Sequence, residues 1–209
     1  GADSSNQTYD AMYYKDYADS LYNNQFVSFS GIPRYLVDRK NTGVHGGTSI
    51  LLDFLSYNLD FGFADIEILT NYDSISRELT ASANLEFATN YENLNLALVI
   101  TEDSVHNTTD PGYMQFNAYF GGNNGPMASS SVDFETYGNP VPAVLMHYKN
   151  VARKIIPSFS GSNSALPSAV KADSLYNYTF PTYSVPPEYN EKKLRAIVLL
   201  IDPSNGRIL

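Results

Sequence analysis

The middle of the chain alternates hydrophobic and polar residues, as half-buried β-strands do. Between residues 78 and 87, a hydrophobic side chain falls at every second position, and mostly polar side chains lie between them. The hydrophobic ones are Leu79, Ala81, Ala83, Leu85 and Phe87. A period of two turns one face of a strand toward the core and the other toward solvent. We therefore predict a strand that covers a core with one face.

Further strands are predicted on both sides of this one. Residues 64–69 also alternate, and we expect a turn at 71–74 to follow them. Residues 93–101 become hydrophobic on both faces toward their end, which is typical of a strand in the middle of a sheet. Strands are also predicted within 175–185 and 193–201.

The C-terminal residues predict a hairpin. The sequence Asp202-Pro203-Ser204-Asn205-Gly206 is a strong turn signal, and a return strand is expected to begin at Arg207. Several short strands joined by turns, without helices between them, predict an antiparallel β-sandwich. We expect it to span residues 62–209 and to be immunoglobulin-like or jelly-roll-like.

The N-terminal residues follow a different pattern. Tyr9, Tyr13, Tyr17 and Leu21 lie four residues apart, which predicts one apolar face of a helix. A stripe of Tyr residues can also stack on sugars or bases, but packing in a core is the interpretation we favour. A short strand at 26–29 is expected to follow.

A proline turn comes next in the chain. Pro33 follows Ser30-Gly31-Ile32 and precedes a predicted strand that contains Tyr35–Val37. Residues 41–47 are rich in turn formers and predict a loop. A helix is then expected to begin at Thr48 or Ser49, with Ile50, Leu51, Phe54 and Leu55 on one side.

Composition excludes several classes of protein. The 209 residues include no Cys, so a disulfide framework, a thiolate metal site and thiol chemistry are all excluded within this chain. The net charge of −9 argues against a nucleic-acid partner, because phosphate binding needs clustered Lys and Arg. No hydrophobic run is long enough to predict a transmembrane span.

No set of residues predicts an active site or a cofactor. The three His residues, His45, His106 and His147, lack the spacing of a zinc motif. Acidic residues between Glu102 and Glu135 could supply oxygen ligands to Ca²⁺, but they lack the ladder of a dedicated calcium loop. Nucleophile-elbow, dinucleotide-binding and P-loop motifs are absent from the sequence.

The segment 102–139 is long and rich in turn formers. Loops of this length within a compact domain are usually functional or disordered, so we expect a binding surface here. Its candidate binding residues are Tyr113, Phe116, Tyr119 and Phe120. Exposure of these aromatic side chains would support the prediction, whereas burial would make them ordinary core residues.

Residues 9–60 resemble the C-terminal half of a thioredoxin fold, with the order helix, strand, proline turn, strand, helix. In that family the proline that matches Pro33 is cis and borders the redox site. The chain as a whole resembles the 28-kDa outer-membrane protein family, which comprises lipid-anchored surface proteins of Bacteroides-type bacteria. Four groups of residues carry this likeness: Gly31-Ile32-Pro33 with Asp38-Arg39-Lys40; 96–103; Met146-His147-Tyr148 with Val151-Ala152-Arg153; and 189–195.

The resemblance implies an α+β fold that is mainly β, with a partial thioredoxin-like segment at 1–61 and the sandwich at 62–209. It also implies export to the outer membrane or cell surface, with attachment by a lipid anchor upstream of this chain. We expect a non-enzymatic, adhesin-like module that binds a protein or a glycan. The alternative is an exported thiol-redox or chaperone-like protein whose Cys-x-x-Cys half lies upstream of this chain.

Three residues of the resemblance have expected structural roles. Pro33 has no redox partner here, because the chain contains no Cys. His147, with Arg153 six residues later, is expected to form a half-buried pair that ties a loop to the sheet by hydrogen bonds.

Overall fold

The computed structural model describes residues 34–39, 41–44, 47–57, 62–117, 119–122 and 134–209. Within them the protein is mainly β, with one α-helix and several antiparallel sheets, as the alternation of hydrophobic residues predicted. The predicted helix over Tyr9–Leu21, the strand at 26–29 and the turn at Pro33 lie outside the described residues.

The first elements are a small hairpin and the helix. Strand β1 (Arg34–Val37) pairs antiparallel with β2 (Asn41–Val44), and helix α1 (Gly47–Tyr57) follows. The sequence predicted a loop at 41–47, and this was wrong for its first four residues. Asp38 and Arg39 adopt φ values of 49° and 56°, which reverse the chain and bring residues 41–44 alongside β1.

Helix α1 was predicted correctly, but its apolar side chains are not buried. Ile50, Leu51, Phe54 and Leu55 are between 43% and 54% exposed. At 11 residues α1 is too short to cross a bilayer, and no other helix in the described parts of the chain meets that requirement.

A first four-stranded sheet contains the strand predicted from the clearest alternation. Its central strand, β4 (Glu78–Phe87), pairs with β3 (Ala64–Asp73) on one side and with β9 (Leu175–Thr179) and β10 (Tyr183–Ser184) on the other. Every second residue of β4 from Leu79 onward is buried, which confirms the prediction.

The turn between β3 and β4 lies later than predicted. Residues 71–73 belong to β3, and Tyr72 pairs with Leu79 of β4. The turn occupies 74–77, where Arg77 has a φ of 57° and the Asp73 carboxylate accepts a hydrogen bond from the Ile75 N–H at 2.8 Å. The Asn-Tyr-Asp-Ser sequence therefore marks the end of a strand and the start of the turn.

A second four-stranded sheet is built around the strand predicted to be central. Its strands in spatial order are β12 (Arg207–Ile208), β11 (Leu194–Asp202), β6 (Asn95–Glu102) and β7 (Val151–Ile156). All eight residues of β6 are buried, which confirms its predicted position. The return strand β12 pairs antiparallel with β11 after the turn predicted at 202–206.

A short ribbon completes the described strands. It pairs β5 (Tyr91–Glu92) with β8 (Ala169–Val170). Side chains of both four-stranded sheets meet in one buried cluster, which includes Leu85 and Phe87 of β4 and Leu96 and Leu98 of β6. The other face of β6 contributes to a second cluster with β7 and β11.

The protein divides into two compact units. We call the described residues of 102–151 the loop unit. We call the described residues of 34–101 and 152–209 the sheet unit. The boundary between residues 61 and 62 that the sequence suggested stays a prediction.

Candidate binding surface on the loop unit

The loop unit has a small hydrophobic core of its own. Val105 and Tyr148 form an antiparallel bridge, and their side chains are buried with Val151. Tyr113 packs against this cluster, and its carbonyl oxygen accepts a hydrogen bond from the Tyr148 hydroxyl at 2.9 Å. Of the four aromatic residues predicted to bind a partner, Tyr113 is therefore part of the core that supports the loops.

A second antiparallel bridge, between Gln115 and Val141, lies where an extended segment has one buried face and one exposed face. Gln115 and Val141 exchange two backbone hydrogen bonds, of 3.3 and 2.8 Å, and Val141 is 2% exposed. Neighbouring side chains along an extended backbone point to opposite faces. Met114 and Phe116 therefore lie on the face opposite Val141, and they are 40% and 70% exposed.

Asn117 fixes the turn that carries the other two aromatic residues. Its side-chain amide donates to the carbonyl oxygens of Phe134, Tyr137 and Gly138 at 2.7, 3.2 and 3.2 Å, and its side-chain oxygen accepts from the Tyr119 N–H at 3.1 Å. Asn117 itself is buried. A buried amide with this many partners holds two separate loop segments together.

The sequence did not single out Asn117. Its residue type gave the only signal, because Asn side chains commonly bond to backbone in turns. The carbonyl groups that it bonds lie 17 to 21 residues away in the chain, and their proximity arises from the fold.

The exposed hydrophobic residues of this unit include three of the four predicted aromatic ones. Tyr119 and Phe120 are 38% and 58% exposed, and Val144 and Leu145 are 51% and 46% exposed. We call the following set the apolar loop surface: Met114, Phe116, Tyr119, Phe120, Val144 and Leu145.

His147 lies next to this surface in sequence and does not have its predicted environment. Its side chain is exposed, whereas a half-buried one was expected. Its ring stacks on that of His106, with centroids 3.9 Å apart and planes 9° from parallel. Arg153 is half-buried on β7, and its guanidinium lies 4.4 Å from the centre of the Tyr189 ring.

Two of the acidic residues that the sequence offered as calcium ligands, Asp110 and Glu102, lie in the described part of the loop unit with an identified environment. The Asp110 carboxylate caps a short 3-10 turn by accepting from the Gly112 N–H at 2.9 Å, and Glu102 is buried. Across the parts of the chain that the structure describes, no group of three or more His, Cys, Asp or Glu side chains is arranged to hold a metal ion. His45 lies outside those parts.

The sheet unit has a shallow cleft of about 560 Å³ beside the β5–β8 ribbon. Tyr91 and Lys171 line it, together with Asn90, whose side-chain oxygen accepts from the Ala172 N–H at 2.9 Å. The Tyr91 hydroxyl donates to the Asp202 carboxylate at 3.4 Å. Burial raises the pKa of Tyr91, and the nearby negative charge of Asp202 raises it further. The side chains of Asn90 and Tyr91 bond to the protein itself, so the loop unit is the better candidate for a binding site.

Comparison with protein-family models, with curated proteins and with solved structures finds no match to this chain. The likeness to the 28-kDa outer-membrane family therefore rests on the short sequence motifs alone.

Proposed function

We propose that this chain is a non-enzymatic module of the outer membrane or cell surface, and that it binds a protein through the apolar loop surface. The observation that carries the proposal is the exposure of Phe116 and Phe120, at 70% and 58%, on loops fixed by a buried hydrogen-bonding residue. Exposing large hydrophobic side chains to water is unfavourable, and sets of them on a protein surface commonly mark interaction sites.

The chemistry of the surface favours a protein over a glycan. Sugars present many hydroxyl groups, and their binding sites need polar side chains that can hydrogen-bond to them. Within the apolar loop surface, only Tyr119 carries such a group, its hydroxyl, and the other five side chains provide none. Aromatic and Met side chains are, by contrast, enriched in the centres of protein interfaces.

The proposed architecture follows the sequence resemblance. We infer that the two four-stranded sheets form a β-sandwich, since side chains of both contribute to one buried cluster. Loops carried on a rigid scaffold are a frequent place for binding residues. The likeness of the N-terminal residues to half of a thioredoxin fold remains part of the proposal, and it assigns no redox activity to this chain.

The test replaces the two most exposed aromatic residues. Phe116→Ser and Phe120→Ser, combined in one protein, should abolish capture of a partner by photo-crosslinking from outer-membrane fractions. The matched control is Leu175→Ser, because Leu175 is 72% exposed and lies in the sheet unit. Thermal unfolding of both variants should match that of the wild type.

Two outcomes would contradict the proposal. Capture of the same partner by wild type and by the Phe116/Phe120 double variant would place the binding site elsewhere. Retention of a glycan from a glycan array by wild type, with loss in the double variant, would replace the protein partner with a carbohydrate.

A further inference from the structure

His106 and His147 lie opposite each other on two adjacent extended segments of the loop unit. The neighbouring pair, Val105 and Tyr148, exchanges two backbone hydrogen bonds of 2.8 and 2.9 Å. In an antiparallel ladder the pair after such a hydrogen-bonded pair is a non-hydrogen-bonded one, whose side chains share a face and lie closest together. The stacked rings, 3.9 Å between centroids, fit this position.

The backbone fixes which nitrogen of His106 can act as a ligand. His106 Nδ1 lies 2.7 Å from the carbonyl oxygen of Met146. A carbonyl oxygen only accepts hydrogen bonds, so Nδ1 carries the hydrogen and Nε2 of the neutral ring keeps its lone pair. This is the support that metal-binding histidines usually have, where the second ring nitrogen donates to a backbone carbonyl.

We propose that His106 and His147 form a binding site for a divalent transition-metal ion such as Zn²⁺ or Ni²⁺. Imidazole nitrogens suit these ions, which bind them at about 2.0–2.1 Å in the case of Zn²⁺. His106 supplies Nε2 from a fixed ring. His147 supplies a second nitrogen from an exposed ring, and water completes the coordination.

Binding requires one side chain to turn. A metal ion lies close to the plane of each imidazole that it binds, whereas the two rings here are stacked at 9° from parallel. Because His147 is exposed, its ring can rotate toward the lone pair of His106 while the bond to Met146 holds His106 in place. The bound ion then links two segments that lie about 40 residues apart in the chain.

The test is isothermal titration of the full chain with ZnCl₂ and NiCl₂ in a buffer free of chelators. We expect one ion to bind per chain. His147→Gln should weaken the affinity by about tenfold or more, because loss of a partner that merely supports a ligand already weakens metal affinity by about 10–100-fold. The matched control is His45→Gln, which should bind as the wild type does. His147 is exposed, so its replacement should leave folding intact.

Two further measurements separate this site from general attraction of cations to an acidic chain. CaCl₂ should give no comparable binding, because Ca²⁺ prefers oxygen ligands. Saturating Zn²⁺ should raise the melting temperature of the wild type but not that of His147→Gln, since an ion that binds only the folded state stabilises it. Wild-type affinity in His147→Gln, loss of binding in His45→Gln, or equal binding of Ca²⁺ would each overturn the proposal.

Discussion

Arg77 and Glu191 form an ion pair, with Nη1 and Oε2 at 3.0 Å, between residues 114 positions apart in the chain. The other guanidinium nitrogens of Arg77 donate to the carbonyl oxygens of Val185, Pro186 and Tyr189 at 3.1, 2.9 and 2.9 Å. The β3–β4 turn is thereby tied to the segment that precedes β11.

Replacing Arg77 by Lys should destabilise the protein by about 1–3 kcal/mol, because Lys keeps the charge but cannot bond three carbonyl groups and a carboxylate in a fixed geometry. The ion pair itself should contribute less, since both side chains are about 30% exposed and such pairs are worth roughly 0–1 kcal/mol. Urea unfolding of Arg77→Lys and of Glu191→Gln compares the contribution of the Arg77 hydrogen bonds with that of the ion pair. A larger loss in Glu191→Gln would show that charge attraction dominates.

Gly161→Ala should destabilise the protein more than Gly121→Ala. Both glycines have positive φ, at 76° and 67°, and a left-handed backbone costs a non-glycine residue about 1–2 kcal/mol. A Cβ at residue 161 would also lie 2.8 Å from the carbonyl oxygen of Leu96, whereas no atom of the described residues lies within 4 Å of a Cβ at residue 121.

Thermal or urea unfolding measures the difference between the two glycine variants. We expect Gly161→Ala to lose more stability by at least about 1 kcal/mol, because the Leu96 backbone must shift to make room. Equal losses would mean that the left-handed backbone accounts for the whole effect.

The ionised carboxylate of Asp202 should stabilise the folded protein at neutral pH, and this contribution should be lost in acid. Burial raises the pKa of its carboxyl. The carboxylate accepts hydrogen bonds from the Ser204 hydroxyl and N–H, the Asn205 amide and the Tyr91 hydroxyl. These bonds outweigh burial and hold the pKa below the ordinary value of 3.8. A carboxyl with a lower pKa in the folded state stabilises that state above the unfolded pKa. This stability is lost as the pH falls through the folded-state value.

Asp202→Asn should therefore unfold more easily than the wild type at pH 7, and the difference should shrink below pH of about 3.8. Urea unfolding at a series of pH values measures it. A difference that stays constant down to pH 2 would show that loss of hydrogen-bond geometry, rather than of charge, is responsible.

Asn117→Ala should weaken partner binding without removing any residue of the apolar loop surface. The substitution deletes the hydrogen bonds that Asn117 donates to the carbonyl oxygens of Phe134 and Tyr137 and the one that it accepts from the Tyr119 N–H. The two carbonyl groups, which belong to half-buried residues, lose this donor. We expect the free energy of unfolding to fall by about 1–3 kcal/mol. Amide hydrogen exchange at Tyr119 and Phe120 should become faster.

The control for Asn117 is Asn177→Ala, which changes an exposed Asn of the sheet unit. It should leave both exchange in the loop unit and partner binding unchanged. Unaltered exchange at Tyr119 in Asn117→Ala would show that the turn is held by other contacts.

Local pattern was sufficient for the main elements of the sheets. The alternation through β4, the hydrophobic run of β6 and the Asp-Pro-Ser-Asn-Gly turn each express a preference that short stretches of backbone carry by themselves. Their types could therefore be predicted before any packing was known. Boundaries were less certain, as the shift of the β3–β4 turn to residues 74–77 shows.

The sequence by itself thus determined a β-rich protein with a central hydrophobic strand and a long irregular segment that carries aromatic residues. Tertiary structure alone decided that Tyr113 is core while Phe116 is exposed. It also brought Asn117 to its carbonyl partners and His106 to His147. These relationships join residues distant in the chain, or depend on which face of a segment is covered, and local preferences contain neither kind of information.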